Sequence, residues 1–152
     1  MTRRAKLSVT LRRATPADSR FLWRLRNSAD VRAVSGDAEK IPWRGHVLWY
    51  ARIALMGIGR SDVRVILADG EPVGYVRAYW DTPRGGVDPG CWGGSIAITI
   101  RARGRGIGKA ALRQFVRRHR PCRALVRADN EASLALFRSA GFCASMVELV
   151  YA

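Results

Sequence analysis

In residues 6–15, KLSVTLRRAT, apolar and polar positions alternate at period two, which predicts a first strand. Thr15-Pro16-Ala17-Asp18 has the chemistry of a helix start, with a hydroxyl able to cap and a proline in the first turn. Phe21, Leu22, Leu25 and Ala29 follow at roughly helical spacing, and Asn27, Ser28 and Asp30 predict an end near WRLRNS. Residues 31–42, VRAVSGDAEKIP, read as a loop that turns at Ser35-Gly36-Asp37. A second helix opens at Ile41-Pro42-Trp43, runs through HVLWYARIALMG and closes at Gly57.

Period two returns in residues 61–81. Val63, Val65 and Leu67 alternate, Asp69-Gly70 makes a turn, and Val73, Tyr75 and Ala78 lie on the return strand of a hairpin. Residues 82–94, TPRGGVDPGCWGG, are rich in Pro and Gly and predict a loop leading to the apolar strand SIAITI. A glycine-rich run then enters the helix ALRQFVRRH, stopped by Pro121. CRALVRA follows as a short strand, and EASLALFRSA as a helix capped by Asp129 or Asn130 and ended by Gly141. FCASMVELVYA closes the chain as a strand. The order β-α-α-β-β-β-α-β-α-β predicts a mixed α/β domain spanning residues 1–152, one sheet with helices on both faces, without repeat or linker.

Composition narrows this picture only a little. Apolar residues make 48% and charged residues 26% of the 152, ordinary for a globular chain. No apolar run approaches the roughly 18 residues of a membrane span, and the basic N-terminus lacks the apolar core of a signal peptide. A cytoplasmic address is the expectation. Cys91, Cys122 and Cys143 are odd in number and widely spaced, so they form neither a metal-ligand pattern nor a disulfide framework. They read as small hydrophobes, with a reactive thiol as the alternative. The net charge of +15 raises nucleic acid as a partner. Only three of the 27 basic residues are lysine, however, a skew that GC-rich coding alone produces. The arginines are also scattered, with no interleaved aromatic platform. An anionic small molecule is the better reading.

The candidate chemistry lies in RARGRGIGKAAL, where a strand runs into glycines and then a helix. The first N–H groups of a helix lack intrahelical partners, and the helix dipole adds positive potential there. Glycines at 104, 106 and 108 leave those amides bare to a phosphate, and Arg103, Arg105 and Lys109 can add charge-assisted bonds. A solvated turn is the alternative. The nucleotide P-loop does not fit, because Lys109 is followed by Ala110 and not by a hydroxyl. The dinucleotide fingerprint fails as well, since the glycines here are separated by single residues.

This stretch resembles the pyrophosphate loop of the GNAT superfamily of N-acetyltransferases: Gln or Arg, two free positions, Gly, one free position, then Gly or Ala. Arg103, Gly106 and Gly108 occupy its fixed places. NEASLALFRSAGF, residues 130–142, resembles a second segment of the same family, and the element order matches the family's fold, a mostly antiparallel sheet with a splayed parallel strand pair. The resemblance implies acetyl-CoA as cosubstrate. Its pantetheine arm would lie along Ile96, Ala97 and Ile98, and its pyrophosphate on Arg103, Gly104, Arg105, Gly106, Ile107, Gly108 and Lys109. Asn130 would contact the arm, with Ser133 nearby, although both also suit helix caps.

Acetyl transfer needs a base to strip the ammonium and N–H groups to steady the oxyanion. Many members place an acidic tyrosine where this chain has Phe137, which can only pack. Some carry a glutamate on the strand before the loop, where this chain has Gly93, Gly94 and Ser95. His46, Tyr79, Asp81 or a water chain are the candidates for the base, with a structural histidine as the alternative for His46. The N-terminal half resembles the branch acting on nucleotide-linked amino sugars, bordering the ribosomal-protein N-terminal acetyltransferases. Arg26, Asn27 and Arg77 would then meet acceptor phosphates or hydroxyls, and Trp43 and Trp49 would wall the acceptor or fill the core. A protein N-acetyltransferase and a non-catalytic acetyl-CoA-binding module stay open as alternatives, and family habit adds a homodimer through the C-terminal strand.

Overall fold

The structure is a computed structural model and describes residues 7–81 and 90–144. Strand β1 (Val9–Arg13) leads through a 3-10 turn (Pro16–Asp18) into helix α1 (Ser19–Asn27). Asp18 fixes that entry. Its carboxylate accepts from the Thr15 N–H at 2.7 Å and hydroxyl at 2.9 Å, and takes both arms of the Arg12 guanidinium at 2.7 and 2.9 Å. The Arg12 bond holds the Asp18 carboxyl down at about 2.

A short helix α2 (Ala29–Ala33) comes next, so the loop expected from residue 31 begins one turn later. Five residues are too few to display a helical period; Val31, buried at its centre, is what anchors it. Helix α3 (Trp43–Trp49) continues as a π-helical stretch (Tyr50–Leu55) and is released at Gly57.

Strands β2 (Ser61–Ala68) and β3 (Glu71–Asp81) form the expected hairpin around Asp69-Gly70. Strand β4 (Cys91–Ile98) starts four residues before the apolar run that predicted it. Helix α4 (Ile107–Val116), a two-residue strand β5 (Cys122–Arg123) and helix α5 (Glu131–Ser139) complete the described elements. The predicted CRALVRA strand is paired only at its first two residues. The predicted C-terminal strand, and with it the expected dimer surface, falls largely on residues 145–152, outside the described residues.

The sheet runs β1-β2-β3-β4-β5, antiparallel except for the β4–β5 pair. Alternation along each strand divides two cores. Val63, Val65, Tyr75 and Ala97 pack on one face against Leu22, Leu25, Val31, Tyr50 and Ala54 of the N-terminal helices. Ile66, Ala68, Val76 and Ala78 pack on the other against Ile107, Ala111 and Phe115. Phe115, at 1% exposure, is one of several side chains each worth about 1.5–3 kcal/mol by burial alone. No described helix is long and apolar enough to cross a membrane.

Candidate active site

Strands β4 and β5 pair only at Trp92–Cys122 and Gly93–Arg123, and β4 then runs on to Ile98 with no described partner on that side. The Trp92 N–H donates toward β5, to the Pro121 carbonyl at 2.9 Å. Strand alternation therefore turns the N–H and C=O groups of Gly94, Ile96 and Ile98 the same way, into the gap. The carbonyl of Ile98 accepts there from the Arg103 Nε at 3.1 Å. Ile96 keeps a main-chain donor and acceptor free of β3, on an open edge.

The chain leaves β4 through a 3-10 turn (Ile100–Ala102) into the glycines. Gly106 is the N-cap of α4 at φ +77°, a left-handed conformation that a side chain would strain, and a Cβ there would meet nothing within 4 Å. Bare amides thus face open space at the head of a ten-residue helix. Gly104 and Lys109 line the same cleft, whereas Ile107 is 1% exposed and belongs to the core. Gly108 meets Ile98 and Leu136 closely, setting α4 against the strand and α5.

Arg103, expected among the cations of the turn, is already committed. Besides the Ile98 carbonyl it binds Asp30 of α2 in a short ion pair. Arg105 remains exposed. At the far wall, the Asn130 Oδ1 accepts from the Ser133 N–H at 3.1 Å, so Asn130 caps α5, and both residues line the cleft. Phe137 is buried against Phe142, rings edge-on at 5.0 Å.

The cleft continues past β4 to α1, α3 and β3, where Leu22, Arg26, His46, Trp49, Tyr75, Arg77 and Asp81 line it. His46 is buried at 3% exposure among Trp43, Trp49 and Tyr50. Its Nε2 faces the Ser19 carbonyl at 2.9 Å, an atom that can only accept, so Nε2 carries the proton. Burial pushes the His46 pKa down, and the ring is neutral at pH 7. Asp81 is ion-paired with Arg123.

Tyr79 lies flat over Gly93. A Cβ at Gly93 would sit 2.3 Å from the Tyr79 Cζ and 2.7 Å from its hydroxyl oxygen, so the glycine is what lets the phenol cross β4 where the strands part. Arg77 points along the same face, its guanidinium carbon 5.2 Å from the Tyr79 ring and 5.3 Å from the Trp49 ring. Asn27 faces elsewhere. Its amide donates to the Ile41 carbonyl at 3.0 Å and accepts the Ile41 N–H at 2.8 Å, tying down the loop ahead of α3. Trp43, 38% exposed, stacks on His46 outside the cleft.

Tyr75 escaped the sequence reading, which placed it on a strand and stopped there. It sits two residues before Arg77 and so on the same face, and that spacing was the available signal. No described cluster of His, Cys, Asp or Glu is placed to hold a metal. Burial pushes the Cys122 thiol up to about 11, which leaves it protonated and inert.

The acetyltransferase (GNAT) family profile matches residues 29–142. Among solved structures, the aminoglycoside acetyltransferase AAC(6')-Ib with coenzyme A superposes at TM-score 0.74, with 22% identity over 89% of this chain and 84% of that one. The ribosomal-protein-alanine N-acetyltransferase of Brucella melitensis gives 0.70, with 26% identity over 87% and 83%. A phosphinothricin acetyltransferase of Sinorhizobium meliloti with acetyl-CoA gives 0.72, with 26% identity over 88% and 74%. No curated protein matches the chain by sequence. The profile spans the helix α2, the whole sheet from β2 onward and both walls of the gap, and the chain belongs to the acetyltransferase (GNAT) family as an acetyl-CoA-dependent N-acetyltransferase.

Proposed function

We propose that the chain acetylates a primary amine of a small molecule, with a nucleotide-linked amino sugar as the favoured acceptor. One observation carries this reading. The two described carboxylates that line the cleft, Asp30 and Asp81, are both already bonded to arginine, Arg103 and Arg123. A polycationic acceptor, whether an aminoglycoside or a basic peptide, would need free acidic groups there, and the described cleft offers none. A nucleotide-linked sugar needs cations and apolar walls, which Arg26, Arg77, Trp49 and Tyr75 supply.

In this reading the amides from Arg103 to Lys109 hold the pyrophosphate of acetyl-CoA, and the outward N–H and C=O of Ile96, with the outward N–H of Ile98, bond its pantetheine arm. Ala97 turns its main chain toward β3 and contributes only to the floor. Asn130 spends its oxygen on the α5 cap and keeps its NH₂ for the arm; Ser133, whose N–H it accepts, stands beside it. The acceptor nitrogen attacks the thioester carbon with its lone pair, the C–S bond breaks, and the thiolate leaves. Phe137 has no proton to give that thiolate, so water or the departing ammonium proton supplies it. Asp81 gives its carboxylate to Arg123 and is no free base as placed, whereas His46, with its proton on Nε2 toward Ser19, holds its basic lone pair on Nδ1. Tyr79 is not among the residues that line the cleft, so water in the open cleft is the other route for the proton.

The test is turnover, read as released coenzyme A thiol, on nucleotide-linked amino sugars, free amino sugars, aminoglycosides and N-terminal peptides. The highest kcat/KM is expected for nucleotide-linked sugars. A preference for aminoglycosides or peptides overturns the acceptor assignment, and no turnover of any amine overturns catalysis itself.

A further inference from the structure

We infer that Arg26 and Arg77 form an oxyanion site in the α1 half of the cleft, so that accepted amines also carry a carboxylate or a phosphate. This deepens the transferase reading and rests on it for the word acceptor, but the site itself stands on geometry. Arg77 projects from β3 on the face shared with Tyr75, and Arg26 descends onto that face from the last turn of α1. Arg26, Tyr75 and Arg77 all line the cleft there.

Among the described residues, the buried side-chain polar atoms without a partner are the Arg26 Nη1 and the Arg77 Nε. Arg26 satisfies Nη2 on the Asp37 carbonyl at 2.8 Å, and Arg77 rests between the Trp49 and Tyr79 rings. Among the described residues neither has a carboxylate partner, and the carboxylates of Asp18, Asp30, Asp62, Asp81 and Asp129 are each taken by another residue. Leaving a buried donor unmade costs about 1–3 kcal/mol, and more when it is charged. Burial pushes the Arg77 pKa down, yet an arginine keeps its proton at neutral pH, so the charge remains and has no counter-ion. Burial also raises the Tyr75 pKa, which keeps its hydroxyl a donor. Two unpartnered N–H groups and an O–H, carried by side chains that line one stretch of the cleft, are complementary to an oxyanion.

The pyrophosphate of acetyl-CoA is not that anion. Arg77 is opposite Ser95, three residues and so roughly 10 Å before the Ile98 end of β4, beyond which the chain goes on to the glycine turn. It faces the acceptor side of the sheet, with α1 and α3.

The test has two arms, on native protein, Arg26→Met, Arg77→Met and Arg77→Lys. In the first, the protein is saturated with coenzyme A, so that the glycine turn is filled, and titrated calorimetrically with acetate and with inorganic phosphate. Binding of either by the native protein is expected, weakened about thirtyfold in Arg77→Met and partly kept in Arg77→Lys. Whichever anion binds better names the source, and absence of both overturns the site. In the second, kcat/KM is compared for amines matched in shape with and without a carboxylate or phosphate. A native preference of about thirtyfold for the anionic partner, carried by KM and abolished in Arg77→Met, is expected. Equal use of neutral amines, or a preference surviving in both methionine variants, overturns the proposal. Anion binding without turnover of any amine would sink the transferase reading and leave the site standing. Turnover of neutral amines without anion binding would do the reverse. Arg77→Met should melt no lower than native, because it removes an uncompensated buried charge, and this separates lost binding from lost folding.

Discussion

At the α4 end of the cleft the groups that face a ligand are main-chain: the amides of the glycine turn and the unpaired edge of β4. At the α1 end they are side-chain: two guanidiniums, a phenol, an imidazole and an indole, drawn from α1, α3 and β3. A main-chain site is specified by leaving atoms out. Gly104, Gly106 and Gly108 do this within five consecutive residues, so the cofactor half is written in one place. A side-chain site is specified by what distant elements bring together, so the acceptor half is written nowhere in particular and can be rewritten one residue at a time.

The contrast breaks most easily at the turn. If the cofactor half is made of backbone, adding atoms should destroy it and deleting a charge should not. Gly106→Trp is expected to lower acetyl-CoA affinity about a hundredfold in a folded protein, roughly 2.7 kcal/mol, while Arg105→Ala lowers it less than about fivefold. Calorimetry on both variants decides, and a larger loss in Arg105→Ala would show that the turn acts through its side chains after all.

Acid should act first on the other half. The Asp18 carboxyl, held at about 2 against an ordinary 3.8, stabilises the fold fully above its ordinary value. That contribution is lost as pH falls from about 4 through 2, and it amounts to about 1–2 kcal/mol, the lower figure because Arg12 is partly exposed. Denaturant melts across this range should show the slope in native protein and lose it in Arg12→Met. An unchanged slope would mean that the entry to α1 is not held by this pair.

The smallest effect concerns the one side chain that works on the backbone side. Asn130→Ala should cost about 1 kcal/mol through the lost α5 cap, a fall of roughly 2–4 °C in Tm. Asn130→Asp, which still accepts from Ser133, should hold its Tm. If acetyl-CoA affinity drops in both, the Asn130 NH₂ is used by the ligand and the cofactor half is less purely main-chain than drawn.

Legibility in the sequence follows the same division. The glycine turn, the α5 cap and the hairpin were readable because each depends on neighbours in the chain. Helix α2 was not, being too short to show a period. The start of β4 was hidden because Gly93 and Gly94 resemble loop residues. They are glycines for a tertiary reason: Tyr79 presses on one face at 93, and Phe115 and Cys122 close on the other at 94. The commitments of Arg103 to Asp30 and of Asn27 to Ile41 span 73 and 14 residues and leave no local trace. Tyr75 was visible only once Arg77 was known to matter.

Positions 79 and 93 share one volume, and that has a consequence for how the sequence can drift. A side chain at 93 and the Tyr79 ring in its present rotamer are mutually exclusive on this backbone. A residue larger than glycine at 93 therefore turns the ring aside, out of the place where the strands part, and a small residue at 79 removes the conflict. Drift at either position is thus felt at the other, although they lie 14 residues apart in the chain.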